Sequence, residues 1–176
     1  MVCLGINLKI IGIDLAGKTK NPTGVCLLND NKLEFKILNN DKKILQTCLD
    51  FKPDIIAIDA PIMKGIPRIR KADRIMKKYK ALPPSFQSMK KLTIRGSKLA
   101  EKLNVCYKVI EVFPTATAKI IGIYNKNYKE TAEKLGIKIK NKHELDAYLC
   151  CLTAKLFLEK KAVKIGNKDG KIIVPN

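Results

Sequence analysis

The sequence has one histidine, His143, and none of its six cysteines stand in C-x-x-C spacing. The first absence excludes a metal site built from histidines, and the second a zinc ribbon. No apolar run approaches the ~20 residues of a membrane-spanning helix. The start, Met1-Val2-Cys3-Leu4-Gly5, lacks the charged start and long apolar segment of a signal peptide, so a cytoplasmic protein is expected. Most of the cysteines (Cys3, Cys26, Cys48, Cys106, Cys150, Cys151) sit inside apolar runs and read as buried free thiols of a reducing compartment. Acids are scarce as well, 16 against 35 Lys and Arg, for a net charge of +19. That excess favours polyanions, nucleic acid first. Lysine enrichment also accompanies thermophile stability, so charge alone does not decide.

With 176 residues, 46% of them apolar, the chain is long enough to bury a core without staples, and a single domain over 1–176 is expected. Lys9 to Asp14 reads as a strand buried on both faces. Asn21-Pro22-Thr23-Gly24 is a turn, Val25 to Leu28 a second strand, Asn29 to Lys32 a hairpin turn and Leu33 to Leu38 a third strand. Asn40 suits the N-cap of a helix whose Ile44, Leu45, Cys48 and Leu49 share a face. Ile55 to Pro61 is a further apolar strand, and a strand reached through a helix normally returns parallel to an earlier one.

A basic helical insertion is expected at about 62–107, with helices over Arg68 to Lys80 and Ser88 to Leu103. Lys108 to Phe113 is a strand and Thr115 to Ile121 a helix begun by Pro114. Tyr124 to Gly136 reads as loop and short helix. Asn141, with Glu144, caps a core helix over His143 to Lys161. The tail forms a small hairpin at Asp169-Gly170.

Two readings compete for the first strand and its loop. Gly12 to Thr19 satisfies the phosphate-loop pattern G-x-x-x-x-G-K-T, with Asp59 a candidate magnesium aspartate. That mechanism needs a helix starting at Lys18-Thr19, because helix amides and dipole hold the phosphate. Lys20-Asn21-Pro22-Thr23-Gly24 followed by a β-like run does not make one.

In the other reading, Asp14 and Asp59 each end an apolar strand, where a carboxylate has no packing role. On parallel neighbouring strands their ends lie ~5 Å apart. Glu111 interrupts another apolar strand, and Asp146 is an acid in an otherwise apolar helix. Burying a lone carboxylate costs several kcal/mol unless a cation or donors compensate. Singly, each acid has a bland role open to it: a loop cap, an arginine partner for Glu111, backbone amides for Asp146. Together they suit divalent metals.

The element order, three strands, a helix, a strand and later a carboxylate-bearing C-terminal helix, resembles the RNase H-like fold. His143-Glu144-Leu145-Asp146-Ala147 is similar to the C-terminal H-x-x-D-A of RuvC-type Holliday-junction resolvases. Asp14 matches that group's first-strand aspartate, and Asp59 its fourth-strand acid, as aspartate rather than glutamate. More closely, Ile10 to Leu158 resembles an uncharacterised family described as predicted RNase H-like nucleases. The shared pieces are Gly12-Ile13-Asp14, Ile58-Asp59-Ala60-Pro61-Ile62, Arg70-x-x-Asp73, Ile110-Glu111-Val112-Phe113-Pro114 and the H-x-x-D-A stretch. Nothing matches the first-helix acid of true RNase H, and Met63 to Tyr107 has no resolvase counterpart.

The resemblance implies an α/β, RNase H-like mixed sheet, a three-strand meander then parallel strands, with helices on both faces. It implies a nuclease acting on DNA or RNA through Mg²⁺ or Mn²⁺ held by Asp14, Asp59 and Asp146. Glu111 would be a further catalytic acid, and His143 a ligand or proton carrier. Lys18, Arg70, Arg74 and Arg95 are the expected nucleic-acid contacts, against a solvated basic face as the bland reading. A nucleotide-binding phosphoryl-transfer protein using Gly12 to Thr19, or a non-catalytic nucleic-acid-binding module, are the alternatives.

Overall fold

The structure, a computed structural model, describes residues 8–176; Cys3 and the Met1–Gly5 segment lie outside the described residues. The apolar runs form a seven-stranded sheet in the order β3-β2-β1-β4-β5-β7-β6. β1 (Lys9–Asp14), β2 (Thr23–Asn29) and β3 (Lys32–Leu38) make an antiparallel meander. The crossover helix α1 (Asp41–Phe51), whose N-cap Asn40 accepts a hydrogen bond from the Lys43 amide, returns the chain to β4 (Ile55–Ile58), parallel to β1. β5 (Lys108–Val112) continues parallel beside β4.

The segment between β4 and β5 carries α2 (Lys71–Met76), one 3-10 turn (Lys77–Tyr79) and α3 (Gln87–Leu103). The first of these is shorter than the helix expected over Arg68 to Lys80. The Arg70 amide donates to Asp73 Oδ2 at 2.7 Å, which makes Arg70 the cap rather than a helical residue. Lys80, at φ 70°, closes the segment before Pro83-Pro84. Two short helices, α4 (Pro114–Ile120) and α5 (Tyr128–Lys134), precede α6 (Lys142–Leu158). Asn141 Oδ1 caps α6 on the Glu144 amide, while the Glu144 carboxylate accepts from the Lys140 amide at 2.7 Å. The tail hairpin is β6 (Ala162–Asn167) and β7 (Gly170–Pro175), and β7 joins the main sheet parallel to β5.

Strand parity sorts the core into two layers. Ile11, Ile13, Ile56 and Ile58 pack with Ile44 and Cys48 of α1 and Leu99, Ala100 and Leu103 of α3. On the other face, Ile10, Cys26, Ile55, Ala57, Ile110 and Val112 pack under Ala147, Cys150, Cys151 and Ala154 of α6. Cys26, Cys48, Cys150 and Cys151 are buried free thiols as expected, whereas Cys106 is exposed, because it follows the end of α3 in a surface turn.

Two glycines let α6 lie directly on the sheet. A Cβ on Gly12 would meet the Ala147 carbonyl and come within 2.7 Å of the Cys151 amide nitrogen; one on Gly24 would meet the His143 carbonyl oxygen. Gly24→Ala is therefore expected to cost about 1–3 kcal/mol, as overpacking does, read as a lower urea midpoint at unchanged slope. An unchanged midpoint would mean that α6 lifts at no cost.

Candidate active site

β1 and β4 run parallel with Ile13 opposite Ile58, so the next residues, Asp14 and Asp59, end the two strands abreast. The Asp59 amide donates to the Ile13 carbonyl at 2.8 Å, holding the strand ends together. Parity gives both aspartates the face of Ile10 and Ala57, which is the face covered by α6. The first turn of α6 supplies the rest. His143 and Asp146 are three residues apart, hence on one side of the helix. His143 Nδ1 and Asp14 Oδ2 are 2.7 Å apart, and the Lys142 ammonium lies 2.6 Å from Asp146 Oδ2. The Asp14 and Asp146 side chains are 16% and 14% exposed.

The three aspartates act on one another. Burial, then the negative charge of Asp146, raises the Asp14 pKa, against the hydrogen bond and charge of His143 and the charge of Lys142. Burial, followed by the charges of Asp14 and Asp146, pushes Asp59 well above its ordinary 3.8. Beneath them the Cys150 thiol is pushed up by burial and by the same three carboxylates; protonated, it contacts the Ile13 carbonyl at 3.6 Å.

A carboxyl whose folded pKa is raised holds its proton in the folded chain after the unfolded chain has released it. Its contribution to stability then declines as pH rises above the ordinary value. Removing the charge reverses that. Without divalent cations, Asp59→Asn is expected to gain melting temperature over the parent progressively above about pH 4, the ordinary aspartate range. Thermal unfolding across pH 4–8 checks this, and a difference that does not change with pH would refute it.

Oxygen donors from three aspartates, with an imidazole beside them, are the chemistry that hard divalent ions select. Among the described residues, however, no three His, Cys, Asp or Glu side chains are arranged as they stand to hold an ion, and the three aspartates would have to draw together to do so. The positive charge facing Asp146 is the Lys142 ammonium, and it favours the ionised forms of Asp14 and Asp59 as well.

Other expected site residues stand elsewhere. Glu111 points away from Asp14 and Asp59, because Ile110 and Val112 on either side of it occupy the α6 face. Both its oxygens are 2.6 Å from the Arg70 guanidinium, and Oε2 also accepts the Ile62 amide at 2.7 Å. Glu111 is thus a structural anchor rather than a ligand beside the aspartates. Its pKa is still raised by burial, against the pull of Arg70.

Arg70 is 1% exposed and clasped by Glu111 and Asp73, so it cannot reach a phosphate. Arg95, also buried, clips the Ala16 carbonyl at 2.5 Å and pairs with Asp41 at 2.7 Å. Lys18 and Arg74 are exposed, Lys18 in the loop after Asp14.

That loop is not a phosphate loop. It turns back through the bond from the Asn21 amide to the Lys18 carbonyl and enters antiparallel β2, not a helix. The carbonyl of Ala16 is turned to Arg95. Sequence reasoning also missed Lys142. Its only signal was a lysine four residues before Asp146, at a helix start where cations are disfavoured.

The β3-β2-β1-β4-β5 order, with an antiparallel meander, parallel β4 and β5 and α6 laid over the strand ends, defines an RNase H-like fold. Among solved structures the chain is similar to T. thermophilus RuvC in complex with its Holliday junction substrate. The TM-score is 0.56, over 87% of this chain and 96% of that one, at 12% identity, which is a likeness of fold. No family profile and no curated protein sequence matches the chain.

Proposed function

We propose that this protein is a divalent-metal-dependent nuclease that hydrolyses phosphodiester bonds of DNA or RNA in a reducing cytoplasm. The observation that carries the proposal is the placement of Asp14 and Asp59 abreast at the ends of parallel strands, with Asp146 raising the pKa of both. Support also comes from the fold shared with RuvC, a protein whose structure holds a Holliday junction substrate. Asp14, Asp59 and Asp146 would hold Mg²⁺ or Mn²⁺. A bound ion of this kind activates water and stabilises charge on the scissile phosphate.

The chain's own groups do the remainder. Asp14 fixes the imidazole of His143 through Nδ1, leaving Nε2 to ligate or to carry a proton. Lys18 and Arg74 offer exposed cations to phosphates. So does an open groove of about 1030 Å³ between the Ile62–Arg68 segment, α3 and the β6–β7 turn, where Lys64, Arg68, Lys98 and Lys168 line the wall. Such contacts hold a strand in register without reading its sequence, and weaken with salt. No helix among the described residues is long and apolar enough to cross a membrane.

The test is cleavage of single-stranded, branched and hybrid substrates with Mn²⁺, by the parent and by Asp14→Asn. Cleavage lost in the variant with binding retained is the expected result. Binding without cleavage by the parent on every substrate would replace this reading with that of a non-catalytic nucleic-acid-binding module.

A further inference from the structure

Lys142 opens α6 with its ammonium 2.6 Å from Asp146 Oδ2. The local physics of a helix does not favour it there. A cation in the first turn opposes the helix dipole, and lysine four residues before an acid is the weaker order of an i,i+4 pair. A solvated surface pair of this kind contributes little. What offsets these costs is the charge of Asp14 and Asp59, which favours the Lys142 ammonium in addition to that of Asp146. The next residue of the same helix turn, His143, is 2.7 Å from Asp14. The pair is also asymmetric: the lysine side chain is 64% exposed and that of Asp146 14%. Lys142 can leave without unpacking anything, and Asp146 cannot.

We propose that Lys142 is a tethered counter-cation of the acidic cluster, which holds Asp146 until a divalent ion takes it and then swings into solvent. The proposal rests on the metal-binding reading of the three aspartates and adds a device to it. In the closed form the lysine neutralises part of the repulsion among the carboxylates. Lys142 would have to leave Asp146 for a divalent ion to be held there, so it would set the threshold concentration at which the ion enters.

Mn²⁺ binding measured without nucleic acid, by the loss of the free-ion paramagnetic resonance signal, tests this directly. Lys142→Met is expected to bind Mn²⁺ about five- to tenfold more tightly than the parent, the range that removal of one competing charge allows. It should also melt lower than the parent in chelator and show a larger rise on Mn²⁺ addition. Lys142→Arg, which keeps the charge, should retain the parent affinity.

Equal or weaker Mn²⁺ binding by Lys142→Met would overturn the counter-cation role. Where Asp14→Asn still abolished binding in that experiment, the metal site itself would stand. Absence of Mn²⁺ binding in parent and variants alike would overturn both.

Discussion

Asp14→Asn is expected to lower divalent-dependent cleavage by about a thousandfold or more, a loss of several kcal/mol of transition-state stabilisation. The amide keeps the size of the side chain and can still accept a bond from His143, so the strand end need not move. What disappears is the formal charge abreast of Asp59 and near Asp146. Loss of that charge should raise the melting temperature in chelator while removing Mn²⁺ binding. Stability gained where activity is lost is the mark of a residue held against its own electrostatics. Steady-state cleavage, melting and a binding isotherm on the same preparation separate the effects. Cleavage surviving in Asp14→Asn would place the chemistry elsewhere.

The second large effect is expected far from any chemistry. Arg70→Met should cost about 3–5 kcal/mol in urea unfolding, the usual penalty for removing one partner from a buried ion network. The guanidinium, wholly buried, meets Asp73 at 2.7 and 3.0 Å, both oxygens of Glu111 at 2.6 Å and the Ile62 carbonyl at 3.1 Å. Its removal strands two carboxylates in the interior. Arg70→Lys should recover little, because a single ammonium cannot serve this fork of acceptors.

Without the arginine, the Glu111 pKa rises further. The deficit should then widen as pH increases above the ordinary glutamate value of 4.5. Adding Glu111→Gln and Asp73→Asn to Arg70→Met should restore part of the loss. A parent-like midpoint in Arg70→Met alone would contradict the role given to this triad.

The strands, the Asn40 and Asn141 caps and the tail hairpin were legible because each rests on local chemistry: a short apolar run, a cap oxygen, a turn pair. Asp14 and Asp59 were legible for a related reason, a carboxylate ending an apolar run. Glu111 was not. Val109 to Phe113 is apolar on both faces, so nothing local states which way its acid looks; that depends on pairing Ile58 with Glu111 and on Ile110 lying under α6.

Arg70 and Arg74 share a side at helical spacing, but spacing does not reveal that Arg70 precedes the first turn of α2 and closes over Asp73. Nor does a helix pattern reveal that Arg95 serves a loop 79 residues earlier, where it donates to the Ala16 carbonyl. The docking of β7 against β5 was likewise invisible, since a hairpin announces its turn and not its neighbour.

That docking decides which strands border the sheet. β5 carries Ile110 and Val112, and its outer rim is the one along which β7 adds itself. With the hairpin in place the outermost strands of the sheet among the described residues are β6 and β3, not β5. β6 is flanked by Lys161 and Lys168 and carries Lys164; β3 alternates Lys32, Glu34 and Lys36 along one side. Lysines on a bare rim oppose strand-to-strand stacking between molecules. The β6–β7 hairpin therefore exchanges an apolar border for one that carries lysines.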